Sequence, residues 1–98
     1  MRRAAKIDAN QPEIVQALRD AGWSVAVMSA VGQGFPDLVI GRDGVNVLVE
    51  VKDGAKPPSA QKLTPDQVEF HAQWKGRIEV VNSVESALNI RSNNGNGS

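Results

Sequence analysis

Pro36-Asp37-Leu38-Val39-Ile40-Gly41-Arg42-Asp43-Gly44-Val45-Asn46-Val47-Leu48-Val49-Glu50-Val51-Lys52 is the stretch on which the fold turns. Asp43-Gly44 is a favoured pair for a two-residue type I′ turn, which needs positive φ at both central positions. With that turn, Arg42 pairs with Val45, Ile40 with Val47, Val39 with Leu48 and Leu38 with Val49, and Asp37 falls opposite Glu50. Side chains alternate between the faces of a strand. One face then carries only Leu38, Ile40, Val47, Val49 and Val51, while the other carries Val39 and Leu48 and ends in Asp37, Glu50 and Lys52. Strands this apolar are expected to be buried on both faces.

Directly opposed residues have Cβ atoms roughly 4.5–5.5 Å apart. Two carboxylates that close repel, so either one is protonated or a cation lies between them. Carboxylates are hard oxygen ligands that suit Mg2+ or Mn2+. Lys52 projects from the same face and can orient a water or neutralise charge on a phosphate. Acid pair, cation and lysine are the equipment for metal-assisted phosphodiester hydrolysis. Taken singly, Asp37 also reads as a strand start, and Glu50 and Lys52 as a solvated edge.

Outward from the hairpin, Asn10 suits a helix N-cap, Pro12 is tolerated in a first turn, and Ile14, Val15 and Leu18 form an apolar stripe that Gly22 ends. Trp23 to Ser29 reads as a strand, and Val31 to Gly34 as a loop. After the hairpin, Asp53 to Lys62 is a solvated loop. Thr64, Pro65 and Gln67 announce a second helix with a capping box, running to about Trp74. Ile78 to Val81 is a short strand, and Ser83 caps a last helix through Leu88. The order α-β-β-β-α-β-α makes an α/β domain around one central mixed sheet flanked by helices. Residues 1–90 form the single domain, and residues 91–98 a polar tail expected to be disordered.

Ninety-eight residues hold one domain and not two. With 41% apolar and 22% charged residues the chain belongs to the globular class. Without cysteine there is no thiol nucleophile and no Cys-based zinc site. No signal peptide or membrane-length apolar run is visible, so a cytoplasmic location is the default expectation, the host cytoplasm if a phage encodes the chain. Eleven basic residues balance eleven acidic ones, which counts mildly against a nucleic-acid binder. Their distribution softens that: Arg2, Arg3 and Lys6 cluster in an N-terminal arm, and Lys52, Lys56 and Lys62 in one stretch.

Pro36-Asp37 followed by Glu50-Val51-Lys52 resembles the signature of the PD-(D/E)XK nuclease superfamily. Gly34-Phe35-Pro36-Asp37-Leu38, Glu13 with Gln16, Gly22-Trp23 and Leu63-Thr64-Pro65-Asp66-Gln67 resemble its VRR-NUC branch over roughly residues 10–82, in the stand-alone form of phages and bacteria. The resemblance implies a PD-(D/E)XK restriction-endonuclease-like fold. It implies that Asp37, Glu50, the Val51 carbonyl and Glu13 bind a divalent metal, that Lys52 is the catalytic lysine, and that Gln67 helps arrange the site. His71 lies one turn beyond Gln67, where related nucleases often carry an aromatic residue. Arg2, Arg3, Lys56 and Lys62 are expected to contact DNA phosphates. The substrate implied is branched DNA, Holliday junctions in particular, cut by a homodimer because two symmetric cuts need two sites.

Alternatives stay open. Glu13 also reads as a capping-box acid after Asn10, Gln67 as the same after Thr64, and His71 as an ordinary helix residue. Trp23 and Trp74 read as core or interface residues. A flap, nicking or non-specific nuclease is the first rival function, and a non-catalytic DNA-binding module the second.

Overall fold

The computed structural model describes residues 7–93. The elements are α1 (Gln11–Asp20), β1 (Ser24–Val27), β2 (Leu38–Arg42), β3 (Val45–Val51), a 3-10 turn (Pro58–Gln61), α2 (Pro65–Gln73), β4 (Ile78–Val81) and α3 (Val84–Leu88). The expected element order holds, with one addition: Pro58 starts a short 3-10 turn inside the loop after β3. Arg2 and Arg3 lie outside the described residues, as does the polar tail from residue 94 onward. Ser92, expected to belong to that tail, donates from Oγ to Asp43 Oδ2 at 2.7 Å. No helix among the described residues is long and apolar enough to cross a membrane.

The strands form one sheet in the order β1-β2-β3-β4. β1, β2 and β3 are antiparallel neighbours, and β4 runs parallel to β3, so the sheet is mixed. Asp43 and Gly44 both take positive φ, 56° and 78°, as the I′ turn demands. The pairing then runs Arg42↔Val45, Ile40↔Val47, Val39↔Leu48 and Leu38↔Val49. A parallel neighbour cannot be reached by a tight turn. The crossover from β3 to β4 contains α2, whose Gln67 meets Glu50 on the acid-bearing face of the sheet.

The opposite face is the core. Leu38, Ile40, Val47, Val49 and Val51 are at most 1% exposed and pack with Ile14, Val15 and Leu18 of α1, Ala87 of α3, and Trp23, Val81 and Ile90. Each such side chain contributes roughly 1.5–3 kcal/mol by leaving water. α1 closes with paired bonds, Gly22 N–H to Arg19 O and Trp23 N–H to Leu18 O, which turn the chain so that Trp23 drops back into the core. α2 contributes no fully buried side chain.

Asn10 stands at the N-cap position of α1 but does not cap it with its side chain. Its backbone is already helical (φ −86°, ψ −1°), whereas a capping side chain reaches the first amides from an extended residue. Asn10 Nδ2 instead donates to the carbonyls of Lys52 (3.0 Å) and Asn82 (3.2 Å), tying the helix start to the ends of β3 and β4.

Candidate active site

At the end of the hairpin the regular ladder stops at Leu38↔Val49. One position further, the Asp37 side chain takes the place of a backbone acceptor: Oδ2 receives the Val51 N–H at 2.8 Å. The Asp37 carbonyl receives the Met28 N–H at 2.7 Å, which fixes the residue to the end of β1. Ser29 Oγ donates to Asp37 Oδ1 (3.4 Å) and accepts from Gln11 Nε2 (3.2 Å), and Gln11 is 3% exposed. Asp37 is therefore held directly by β3 and the segment after β1, and through Ser29 by α1. Val51 joins the site through its backbone alone, since its isopropyl group is in the core.

Glu50 is buried although it carries a carboxyl group, at 2% exposure, and Lys52 beside it is 8% exposed. Lys52 Nζ donates to Gln67 Oε1 at 2.7 Å, and Gln67 Nε2 donates to Glu50 Oε2 at 3.0 Å. Gln67 also closes the capping box of α2, its Oε1 accepting from the Thr64 N–H at 2.9 Å while Thr64 Oγ1 accepts from the Gln67 N–H. One Gln67 side chain thus closes the capping box and also contacts the acid and the lysine. His71 Nε2 lies 3.8 Å from Glu50 Oε1.

The Glu50 carboxyl is pushed up to about 9. Burial is the main cause, followed by the nearness of the Asp37 carboxyl and its charge; Lys52 opposes and Asp8 adds to the rise. Burial, with the Lys52 charge adding, holds the His71 imidazole below its ordinary value.

These groups open on a cleft of about 440 Å³ lined by Asp8, Asp37, Glu50, Lys52, Lys56, Lys62 and Gln67, with Ala60 and Thr64. Of the residues expected to contact DNA, Lys56 and Lys62 stand in this wall. Glu13 does not: it is exposed and lines a separate cleft with Asn10, Asp53 and Asn82. Asp8 is instead the third acid of the site, together with Ser29 and Gln11 as supports of Asp37. No sequence signal marked these three, because their placement depends on how α1 and its leading segment dock.

The arrangement fits a divalent cation. Two carboxyl groups are held together in a partly buried setting where one cannot ionise freely, and Glu50 Oε1 is buried without a hydrogen-bond partner. Among the described residues no group of three acids or histidines is tight enough to enclose an ion. Water and phosphate oxygens would complete its coordination, as is usual for Mg2+.

The loop before Asp37 braces this site. Gly32, Gln33 and Gly34 all have positive φ (77°, 58° and 83°). Gly34 abuts the start of α2 so closely that a Cβ would lie 2.4 Å from the Asp66 carbonyl oxygen. Next to it Phe35 meets Phe70 edge-on at 5.3 Å, and Phe70 stacks on Trp74. Gly34→Ala is expected to cost about 1–2 kcal/mol for its left-handed backbone, and more for the clash, and to displace Gln67. Gly44→Ala carries a similar backbone cost but meets nothing within 4 Å. Denaturant melts paired with cleavage rates test the difference: the Gly34 variant should lose both stability and activity, the Gly44 variant stability alone.

No curated protein and no solved structure matches the chain. The family model described as archaeal Holliday junction resolvase (Hjc) matches residues 3–93, nearly the whole chain. Its members are nucleases of the PD-(D/E)XK superfamily, and the mixed four-stranded sheet flanked by helices agrees with the restriction-endonuclease-like fold of that family. By the match over residues 3–93, the chain belongs to the Hjc Holliday junction resolvase family of endonucleases.

Proposed function

We propose that the protein is a Mg2+- or Mn2+-dependent endodeoxyribonuclease that cuts branched DNA, four-way junctions above all, as a homodimer. The observation that carries this reading is the convergence of Asp37, Glu50, Lys52 and Gln67 on one cleft whose wall includes Lys56 and Lys62. Asp37, Glu50 and the Val51 carbonyl are the proposed ion ligands. A bound divalent cation supplies Lewis-acid polarisation of the phosphoryl oxygen and a more acidic attacking water. Lys52 is placed to neutralise charge that develops on the phosphate. Gln67 holds Lys52 and Glu50 in register, and Lys56 and Lys62 steer the strand backbone into the cleft. Arg2 and Arg3 are proposed to extend that contact. Glu13 would join the ion from its present cleft only by moving.

The likeness of residues 34–38 and 63–67 to the VRR-NUC branch, with its stand-alone phage and bacterial type, is part of the same reading, as is a cytoplasmic location. A second copy as partner belongs to the same reading, because two symmetric cuts need two active sites. Light scattering on eluted protein at micromolar concentration is expected to give twice the chain mass; a clean monomer rejects the dimer.

The function is tested by a cleavage panel of four-way junction, flap, nicked and linear duplex in Mn2+ and in EDTA. Junction cutting that needs the metal is the expected result. Preference for flaps or nicks moves the reading to the rival nuclease class, and binding without cutting moves it to a DNA-binding module.

A further inference from the structure

Gln67 and His71 are spaced i, i+4 on α2, so they share one face of the helix. That face meets Glu50. Gln67 Nε2 donates to one carboxyl oxygen, Oε2, at 3.0 Å, and His71 Nε2 lies 3.8 Å from the other, Oε1. Glu50 Oε1 and His71 Nε2 are both buried, and neither has a hydrogen-bond partner among the described residues. A buried polar atom left unpaired costs roughly 1–3 kcal/mol. Here two such atoms face one another across a gap about 1 Å longer than an N–H···O bond. A small shift of either side chain pairs both. His71 is absent from the wall of the cleft itself, so it reaches an ion there only through Glu50.

We propose that His71 is a positioning residue for Glu50, its Nε2–H donating to Oε1 in the metal-loaded site while Gln67 donates to Oε2. The inference rests on the metal-dependent reading above. α2 then grips both carboxylate oxygens with two donors one turn apart, and the lone pairs left over face the cleft. A carboxylate fixed in this way loses little freedom when it takes a cation. Groups that hold a metal ligand in place typically change metal affinity by roughly 10–100-fold when removed.

Mn2+ itself is the probe, titrated calorimetrically into the full chain and its variants at one pH, with thermal melts in EDTA alongside. His71→Phe keeps a ring of similar size without the donor, and His71→Gln restores an amide N–H at similar reach. The expected result is that His71→Phe weakens Mn2+ binding roughly 10–100-fold, that His71→Gln recovers most of it, and that neither melts far below the wild type in EDTA. Mn2+ affinity of the Phe variant within about twofold of the wild type overturns the proposal, being well short of the change expected for a ligand-positioning group. So does a Gln variant as weak as the Phe variant, because the donor is then not what matters. A Phe variant that melts far below the wild type in EDTA assigns His71 to packing and also overturns it. Wild-type protein that takes up no Mn2+ at millimolar concentration rejects the metal-dependent reading itself, an outcome distinct from the other three.

Discussion

Lys52→Ala removes junction cleavage by at least about 10²–10³-fold, the loss seen when one preorganised charge-stabilising group is taken from an active site. The size follows from location. Lys56 and Lys62 in the cleft wall are exposed, whereas Lys52 is 8% exposed and its Nζ is fixed at 2.7 Å from Gln67 Oε1. A charge held out of bulk water acts more strongly on a phosphate than a screened one at the surface. The fold should survive, because Gln67 Oε1 keeps the Thr64 N–H and the apolar core lies on the other side of the sheet. Single-turnover cleavage of a four-way junction, with circular dichroism and a Mn2+ titration on the same preparation, checks the effect. Cleavage at the wild-type rate would mean that the site is assigned wrongly.

Glu50→Gln should have the second largest effect, and it acts in opposite directions on function and on stability. Function falls because a proposed ion ligand is lost. Stability of the metal-free protein rises at alkaline pH, and the sign comes from proton linkage. The folded chain holds the Glu50 proton up to about 9, against an ordinary value of 4.5. Between those values the unfolded chain has released a proton that the folded chain keeps, so stability declines as pH rises through the window. Below 4.5 the stabilisation is fully present, and above about 9 it is gone. Each unit of difference corresponds to about 1.4 kcal/mol at most, so the loss across the window is on the order of a few kcal/mol. The amide of the Glu50→Gln variant has no proton to release, and the melting temperature of that variant should stay flat over the same range. Melts in EDTA at stepped pH give the comparison; parallel curves for the two proteins would show that Glu50 is not the group titrating. Saturating Mn2+ should restore wild-type stability at high pH and leave the Gln variant unmoved.

The hairpin was legible because two local rules determine it. Asp43-Gly44 sets the turn and hence the register, and alternation sets the faces, so the core residues and the acid pair followed from spacing alone. The capping box at Thr64 was legible for the same reason, since every atom involved lies within one turn. Placement across elements was not. The azimuth of α1 about its axis is set by how Ile14, Val15 and Leu18 pack, and it sends Glu13 to a neighbouring cleft while the segment before the helix brings Asp8 to the site. The Asn10 cap failed because its backbone is already helical, and its side chain bridges two strand ends instead. His71 had a faint sequence mark in its spacing from Gln67, but that this face meets Glu50 depends on how α2 docks on the sheet.

Along β3 and one residue beyond, fold and chemistry are divided by parity. Val47, Val49 and Val51 point into the core, and Leu48, Glu50 and Lys52 belong to the opposite face, where Glu50 and Lys52 line the cleft. A single-residue insertion between Val45 and Leu48 would interchange the two sets, burying an acid and a lysine among aliphatic side chains and turning valines toward DNA. The strand should therefore tolerate many substitutions that respect odd and even positions and almost no shift of frame. Selection on such a chain would be expected to keep insertions and deletions out of the Asp43-Gly44 turn as well and to move them into the loop after β3, where they leave the count unchanged.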